Sequence, residues 1–124
     1  MKFRFTKVLS RIVILCTVAF SFAACTKDPT IGNIKVVDLA TGDAIPNATV
    51  KIFIPPVFSN SGFTTCDQGF VTQKIMTTDN SGTVSFCLSL EATLSIDVTA
   101  GTKTGTGVIA CIREKTTDVT VKVQ

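Results

Sequence analysis

The chain has 124 residues, with 12 Lys and Arg against 9 Asp and Glu, and its formal net charge is +3. Four of the basic residues lie within the first 11 positions, and the 100 residues after position 24 carry eight basic and nine acidic side chains. One hundred residues suit one domain. A nearly neutral domain lacks the basic surface of a nucleic-acid-binding protein.

The chain contains no His, Trp or Tyr. Without His, the usual general base near neutral pH and the commonest metal ligand are missing, and neither a Ser-His nor a Cys-His nucleophile pair is possible. Without Trp or Tyr, the strongest stacking surfaces for sugars are missing as well. We therefore predict no catalytic residue, no metal site and no cofactor, and we predict that the protein is not an enzyme.

The amino-terminal segment has the pattern of a bacterial secretory signal. Four basic residues and no acid precede an apolar run from Ile12 to Phe22, which matches the charged and apolar regions of such signals. A transmembrane helix needs about 20 apolar residues, and this run offers roughly half that number before Lys27 and Asp28. We predict a signal helix over residues 1–24 that is removed by cleavage.

The signal ends in Phe22-Ala23-Ala24-Cys25, which resembles the lipobox of bacterial lipoproteins of the Bacteroidetes type. The resemblance implies that the Cys25 thiol is alkylated with a diacylglyceryl group, that cleavage occurs before Cys25, and that the new amino terminus is acylated. The family prefers Leu at the position of Phe22. The alternative is an ordinary signal peptidase site after Ala24, which leaves a free cysteine. Two or more acyl chains form a stable anchor, at about 0.8 kcal/mol per buried methylene.

The lipobox resemblance also implies a tether and a location. Residues 25–32 are short and mostly polar, and we predict that they form a lipidated tether. We expect the protein in the cell envelope of a Gram-negative bacterium, anchored by lipid to the outer membrane on its periplasmic face or at the cell surface. The expected partners are the membrane and an unknown protein or glycan, with no nucleic acid.

Five cysteines are present. Cys16 leaves with the signal and Cys25 is the lipidation site, so Cys66, Cys87 and Cys111 remain for an oxidising compartment. Three thiols permit one disulfide and one free thiol, and the sequence leaves the three pairings open. A structural zinc site needs four ligands and favours close Cys pairs or His, whereas these cysteines are more than 20 residues apart. We predict one intramolecular disulfide.

After the tether, the sequence predicts short strands separated by turn residues. Val, Ile and Thr are frequent, and apolar residues alternate with polar ones, as in half-buried strands. Within 83–90, for example, Phe86, Leu88 and Leu90 are expected to point inward, and Cys87 to leave the core face. The predicted strands are 33–39, 49–54, 71–78, 83–90, 92–99, 108–113 and 117–123.

Three segments are predicted as loops or turns. The longest is 57–69, and Phe58, Phe63 and Phe70, within it or beside it, are the candidate binding-loop residues; a tolerated insertion without a role is the alternative. Residues 79–82 contain part of a calcium-loop pattern, but a type I turn explains them. The glycine-rich segment 101–107 opens no helix and lacks the spacing of a phosphate-binding loop, so we predict an ordinary loop.

About seven strands in 100 residues predict a single all-β, Greek-key sandwich of two sheets. Over residues 33–124 the sequence resembles the carboxypeptidase regulatory-like and collagen-binding B-type family of prealbumin-like, immunoglobulin-like domains. Members of that family act as stalks, spacers or binding modules without catalytic activity. The resemblance rests on Ile34-Lys35-Val36-Val37-Asp38, Thr41-Gly42, Ile45-Pro46-Asn47-Ala48-Thr49-Val50 and Thr77-Thr78-Asp79-Asn80-Ser81-Gly82-Thr83-Val84-Ser85-Phe86.

These inferences together predict a non-catalytic, lipid-anchored envelope protein that acts as a binding or structural module. The alternative is a carbohydrate-binding accessory domain of a surface glycan-uptake or adhesion system, because starch-binding modules have a similar fold. An enzyme would require a cluster of acids such as Asp67, Glu91 and Asp97 in one cleft.

Overall fold

The structure is a computed structural model that describes residues 27–55 and 61–124. The predicted signal helix, Cys25 and Phe58 lie outside these residues. Within them every regular element is a strand, which confirms the all-β prediction, and no helix has the length and apolar character needed to cross a membrane. The strands are β1 (Thr30–Asp38), β2 (Thr49–Phe53), β3 (Phe63–Thr65), β4 (Gly69–Val71), β5 (Gln73–Thr77), β6 (Thr83–Leu88), β7 (Ala92–Ala100), β8 (Lys103–Cys111) and β9 (Thr116–Val123).

The described strands form two sheets, as the sequence predicts. One sheet has five strands in the order β4-β3-β6-β1-β9, and the other has four in the order β5-β2-β7-β8. β1 and β9 are parallel, with Ile34 opposite Val119, and the other paired strands are antiparallel. At one edge the two sheets are joined, because Thr104 and Gln124 exchange two backbone hydrogen bonds of 3.1 Å.

The core between the sheets follows from side-chain alternation. Because successive side chains of a strand point to opposite faces, β2 buries Val50 and Ile52, and β7 buries Leu94, Ile96 and Val98. Burial of one such aliphatic side chain contributes roughly 1.5–3 kcal/mol. The other members of this core are Ile34, Val36, Ala48, Phe63, Phe86, Leu88, Ile109, Cys111, Val121 and Val123.

The predicted strand 71–78 is wrong, because the chain changes sheets within it. β4 belongs to the five-stranded sheet and β5 to the four-stranded sheet, and Thr72 separates them. The predicted loop 57–69 is also too long, since residues 63–65 form β3, which pairs with β4 and, through Thr65 and Leu88, with β6. An alternating pattern shows which side chains share a face and does not show which sheet a strand joins.

The prediction of a loop over 101–107 is wrong from residue 103 onwards, where β8 begins. Glycine in this strand permits a close approach of backbones rather than a turn. A Cβ atom on Gly105 would lie 2.4 Å from the carbonyl oxygen of Lys122 in β9. The glycine therefore allows β8 and β9 to meet at the edge where the two sheets are joined.

The loop before β2 and the loop after β5 meet at Thr78. The buried Thr78 hydroxyl donates to the carbonyl oxygen of Ile45 and accepts from the Ala48 N–H, both at 2.8 Å. Residues 79–82 form the predicted turn, in which Asp79 Oδ1 accepts from the Ser81 N–H at 2.9 Å. We call the end of the sandwich formed by residues 39–48 and 78–82 the distal end.

Candidate functional site

The opposite end of the sandwich is built where the described chain starts. β1 begins at Thr30, so part of the segment predicted as tether, 30–32, is strand instead. Beside it lies the turn between β8 and β9: the Glu114 N–H donates to Thr30 Oγ1 at 2.9 Å, and the Ile31 N–H donates to the Lys115 carbonyl oxygen at 3.0 Å. We call the surface formed by residues 27–30, 89–91 and 112–115 the tether end.

A cleft of about 190 Å³ opens at the tether end. Sites for small molecules are usually clefts of roughly 300–1,000 Å³, so this one is small for a ligand pocket. Side chains of both charges face it, which leaves no strong net charge to attract an ion. Its lining residues are Lys27, Asp28, Pro29, Thr30, Cys66, Cys87, Leu88, Ser89, Arg113 and Glu114.

A disulfide between Cys66 and Cys87 borders this cleft, with the two Cα atoms 5.5 Å apart. It confirms the predicted disulfide and selects one of the three pairings. Cys87 lies off the core face of β6, as its alternation with Phe86 and Leu88 predicts. The inward direction of Cys111 in β8 is the signal that separates it from this pair.

Cys111 is the unpaired member of the described cysteines, and it is buried opposite Ala92 in the four-stranded sheet. Burial raises the pKa of the Cys111 thiol above its ordinary value, because a thiolate is poorly solvated inside the protein. A reactive cysteine needs a lowered pKa and access to solvent. The structure therefore gives Cys111 a role in core packing.

The three candidate loop phenylalanines do not form one patch in the described residues. Phe63 is only 4% exposed and belongs to the core, so its place in a binding loop is a wrong prediction; it points inward because residues 63–65 are strand. Phe70 is 64% exposed, and its ring lies over Gly62, where a Cβ atom would be 2.5 Å from the ring. Phe58 lies outside the described residues.

The three acids that would suggest an enzyme do not meet. Asp67 binds Lys74 at 2.6 Å, and the hydrogen bond from Lys74 lowers the pKa of Asp67. Asp97 lies on the outer face of the four-stranded sheet, opposite Lys51 and Thr106. Glu91 precedes β7 by one residue, about 20 Å from Asp97 along an extended strand. Within residues 27–55 and 61–124 no group of three potential metal ligands comes together either.

Leu90 and Ile112 have exposed side chains at the tether end, and neither is among the surface residues predicted from the sequence. The alternating pattern predicts that Leu90 points inward, but β6 ends at Leu88 and Leu90 is exposed in the following turn. Ile112 follows the last residue of β8 and is also exposed. The alternation of Ile109 and Cys111 gives a signal for Ile112, since it places the next side chain outward; for Leu90 the alternation predicts the wrong direction.

The fold is shared with solved structures, although no protein-family model and no curated protein matches the chain. The crystal structure of S.CueP matches with a TM-score of 0.50 at 17% sequence identity, covering 80% of this chain and 65% of that one. The 3-chlorocatechol 1,2-dioxygenase from Rhodococcus opacus 1CP matches with a TM-score of 0.53 at 10% identity, covering 79% of this chain and 60% of that one. The chain thus spans less than two thirds of either structure, and at these identities the likeness shows the fold alone.

The structural likeness to the dioxygenase bears on the prediction that this chain is not an enzyme. That prediction is wrong as a deduction from composition, because a β-sandwich of this shape also occurs within a protein that is a dioxygenase. The absent His residues exclude particular chemistries, such as Ser-His nucleophile pairs. They do not exclude catalysis as a class.

Proposed function

We propose that the protein is a lipid-anchored module of a Gram-negative cell envelope that acts by binding or by structural support. The observation that carries the proposal is the position of Cys25 in the lipobox-like segment. This cysteine stands five residues before Thr30, the first residue of β1. A lipid on Cys25 would therefore hold the folded domain next to a membrane through a very short tether.

We also propose that residues 33–124 form a Greek-key domain of the carboxypeptidase regulatory-like type. The hydrogen bonds of Thr78 support this assignment, because they join the two sequence segments that carry the resemblance, Ile45–Val50 and Thr77–Phe86. In such a domain each segment supplies hydrogen-bond partners for the other, which is a physical reason for both to occur in one chain. The disulfide supports a location in an oxidising compartment, where such bonds persist.

The intact mass of the protein extracted from membranes of a Gram-negative host tests the proposal. We expect a chain that begins at Cys25 and carries at least two acyl chains, since one chain binds a membrane only marginally. The Cys25→Ala variant should lose the lipid and leave the membrane fraction. A Cys111→Ala variant, which also removes a thiol, should keep the lipid.

Two outcomes would contradict the proposal. One is a chain that begins at Cys25 with an unmodified amino terminus and is found in the aqueous fraction. The other is a chain that keeps its first 24 residues after export. Either would remove the membrane as a partner of this domain.

A further inference from the structure

Two apolar side chains are exposed at the tether end. Leu90 is 53% exposed and Ile112 is 52% exposed. Their chain neighbours, Ser89 and Arg113, line the same cleft as Lys27 to Thr30. Leu90 and Ile112 therefore lie on the two turns beside the point where the chain enters the domain.

The distance from this end to the lipid is short. Lys27, Asp28 and Pro29 already line the cleft, so only Thr26 separates the docked chain from Cys25. Two residue steps span at most about 7 Å in a fully extended chain. The polar headgroup layer on each side of a bilayer is about 5–8 Å thick. A lipid on Cys25 would therefore hold the tether end within about 7 Å of the anchored residue, a distance comparable to the thickness of the headgroup layer.

The charges at the tether end balance. Lys27, Arg113 and Lys115 oppose Asp28, Glu91 and Glu114 in the described residues of this surface. Contact with a membrane here would depend mainly on the apolar side chains, while the long basic side chains extend towards the headgroups. Two apolar side chains alone bind a membrane weakly. The lipid anchor keeps them close to the bilayer, and this high effective concentration favours their insertion.

We infer that the tether end lies directly on the bilayer and that Leu90 and Ile112 insert into its interface. This inference rests on the proposed lipid anchor at Cys25 and adds an orientation to it. The nine residues of β1 rise about 3.3 Å each, so the distal end stands about 30 Å from the membrane. Loops 39–48 and 78–82 then face away from the membrane, and the cleft at the tether end faces the lipid.

Single tryptophan residues test this orientation, since the chain has no Trp of its own. The Leu90→Trp, Ile112→Trp and Leu39→Trp variants are purified as full-length, lipidated proteins. They are reconstituted in phosphatidylethanolamine and phosphatidylglycerol vesicles with brominated acyl chains. Leu39 is the matched control, because it is 49% exposed and lies at the distal end.

We expect about two-fold quenching of fluorescence and a blue shift for Leu90→Trp and Ile112→Trp, because interfacial side chains lie at the boundary with the acyl chains. Leu39→Trp should show neither change. If all three variants are lipidated and show the same quenching and the same emission wavelength, the inference is overturned, while the proposed lipid anchor stands. A mass without lipid would instead contradict the proposed function. Circular dichroism and the intact disulfide confirm that each variant is folded.

Discussion

Thr78 shows how one side chain fixes the distal end. Its hydroxyl provides a partner for two backbone groups, the carbonyl of Ile45 and the N–H of Ala48. Thr78 is buried, so water cannot replace these bonds. The backbone conformation of the loop 45–48 therefore depends on the Thr78 hydroxyl as well as on the packing of its methyl group.

We predict that Thr78→Val lowers the free energy of unfolding by about 2–3 kcal/mol, because a buried group left without a hydrogen bond costs about 1–3 kcal/mol. Valine keeps the shape of the side chain and removes only the hydroxyl. Thr77→Val is the matched control, since Thr77 is exposed and surface changes usually stay within about 0.5 kcal/mol. Urea denaturation measures both, and equal midpoints would show that the hydroxyl adds no stability.

The disulfide acts at the scale of elements, because it joins the β3–β4 hairpin to β6. β3 has three residues, and the described register gives it one pair with β6, Thr65 and Leu88. So short a pairing adds little by itself. The bond between Cys66 and Cys87 fixes this edge of the five-stranded sheet covalently.

We predict that the double variant Cys66→Ser and Cys87→Ser is about 3 kcal/mol less stable, the value expected for a bond that closes a loop with a sequence separation of 21. Denaturation with and without a thiol reductant measures the effect. The reductant should destabilise the wild-type chain and leave the double variant unchanged. If both respond equally, the stabilising bond is a different one.

Prediction from the sequence succeeds where alternation is regular, and it fails for the three-residue strands and for the glycine-rich first half of β8. β2, β7 and β9 each have alternation that is complete enough to identify the buried side chains, such as Ile52 and Val98. β3 and β4 have three residues each, too few for a period to appear. Gly105 misleads, because glycine is favoured both in loops and where two backbones approach closely. The tether end depends on contacts between distant segments, which no local pattern contains.

At the scale of the whole molecule, we expect three aspartates to contribute to the dependence of stability on acid pH. Hydrogen bonds lower the pKa of three carboxyls: Lys103 acts on Asp38, Lys74 on Asp67, and the Ser81 hydroxyl on Asp79. The ordinary pKa of an aspartate carboxyl is 3.8. A carboxyl with a lowered pKa in the folded state adds stability above its ordinary pKa, and this is lost as the pH falls through the lowered value.

We therefore predict a stability that is nearly constant from about pH 8 to pH 5 and that falls below about pH 4, because the chain has no His to titrate in the upper range. Urea midpoints at pH 7, 5 and 3 test this profile. Asp79→Asn should reduce the difference between pH 5 and pH 3. A marked loss of stability between pH 7 and pH 5 would contradict the assignment to these carboxyls.

The parallel pairing of β1 with β9 has a consequence for biogenesis. Asn33 donates to Asp118 across a sequence separation of 85 residues, so β1 cannot complete its pairing until β9 has been synthesised. During that interval β1 has only β6 as a neighbour, so the backbone groups along its other side form an unpaired sheet edge, which can pair with strands of other chains.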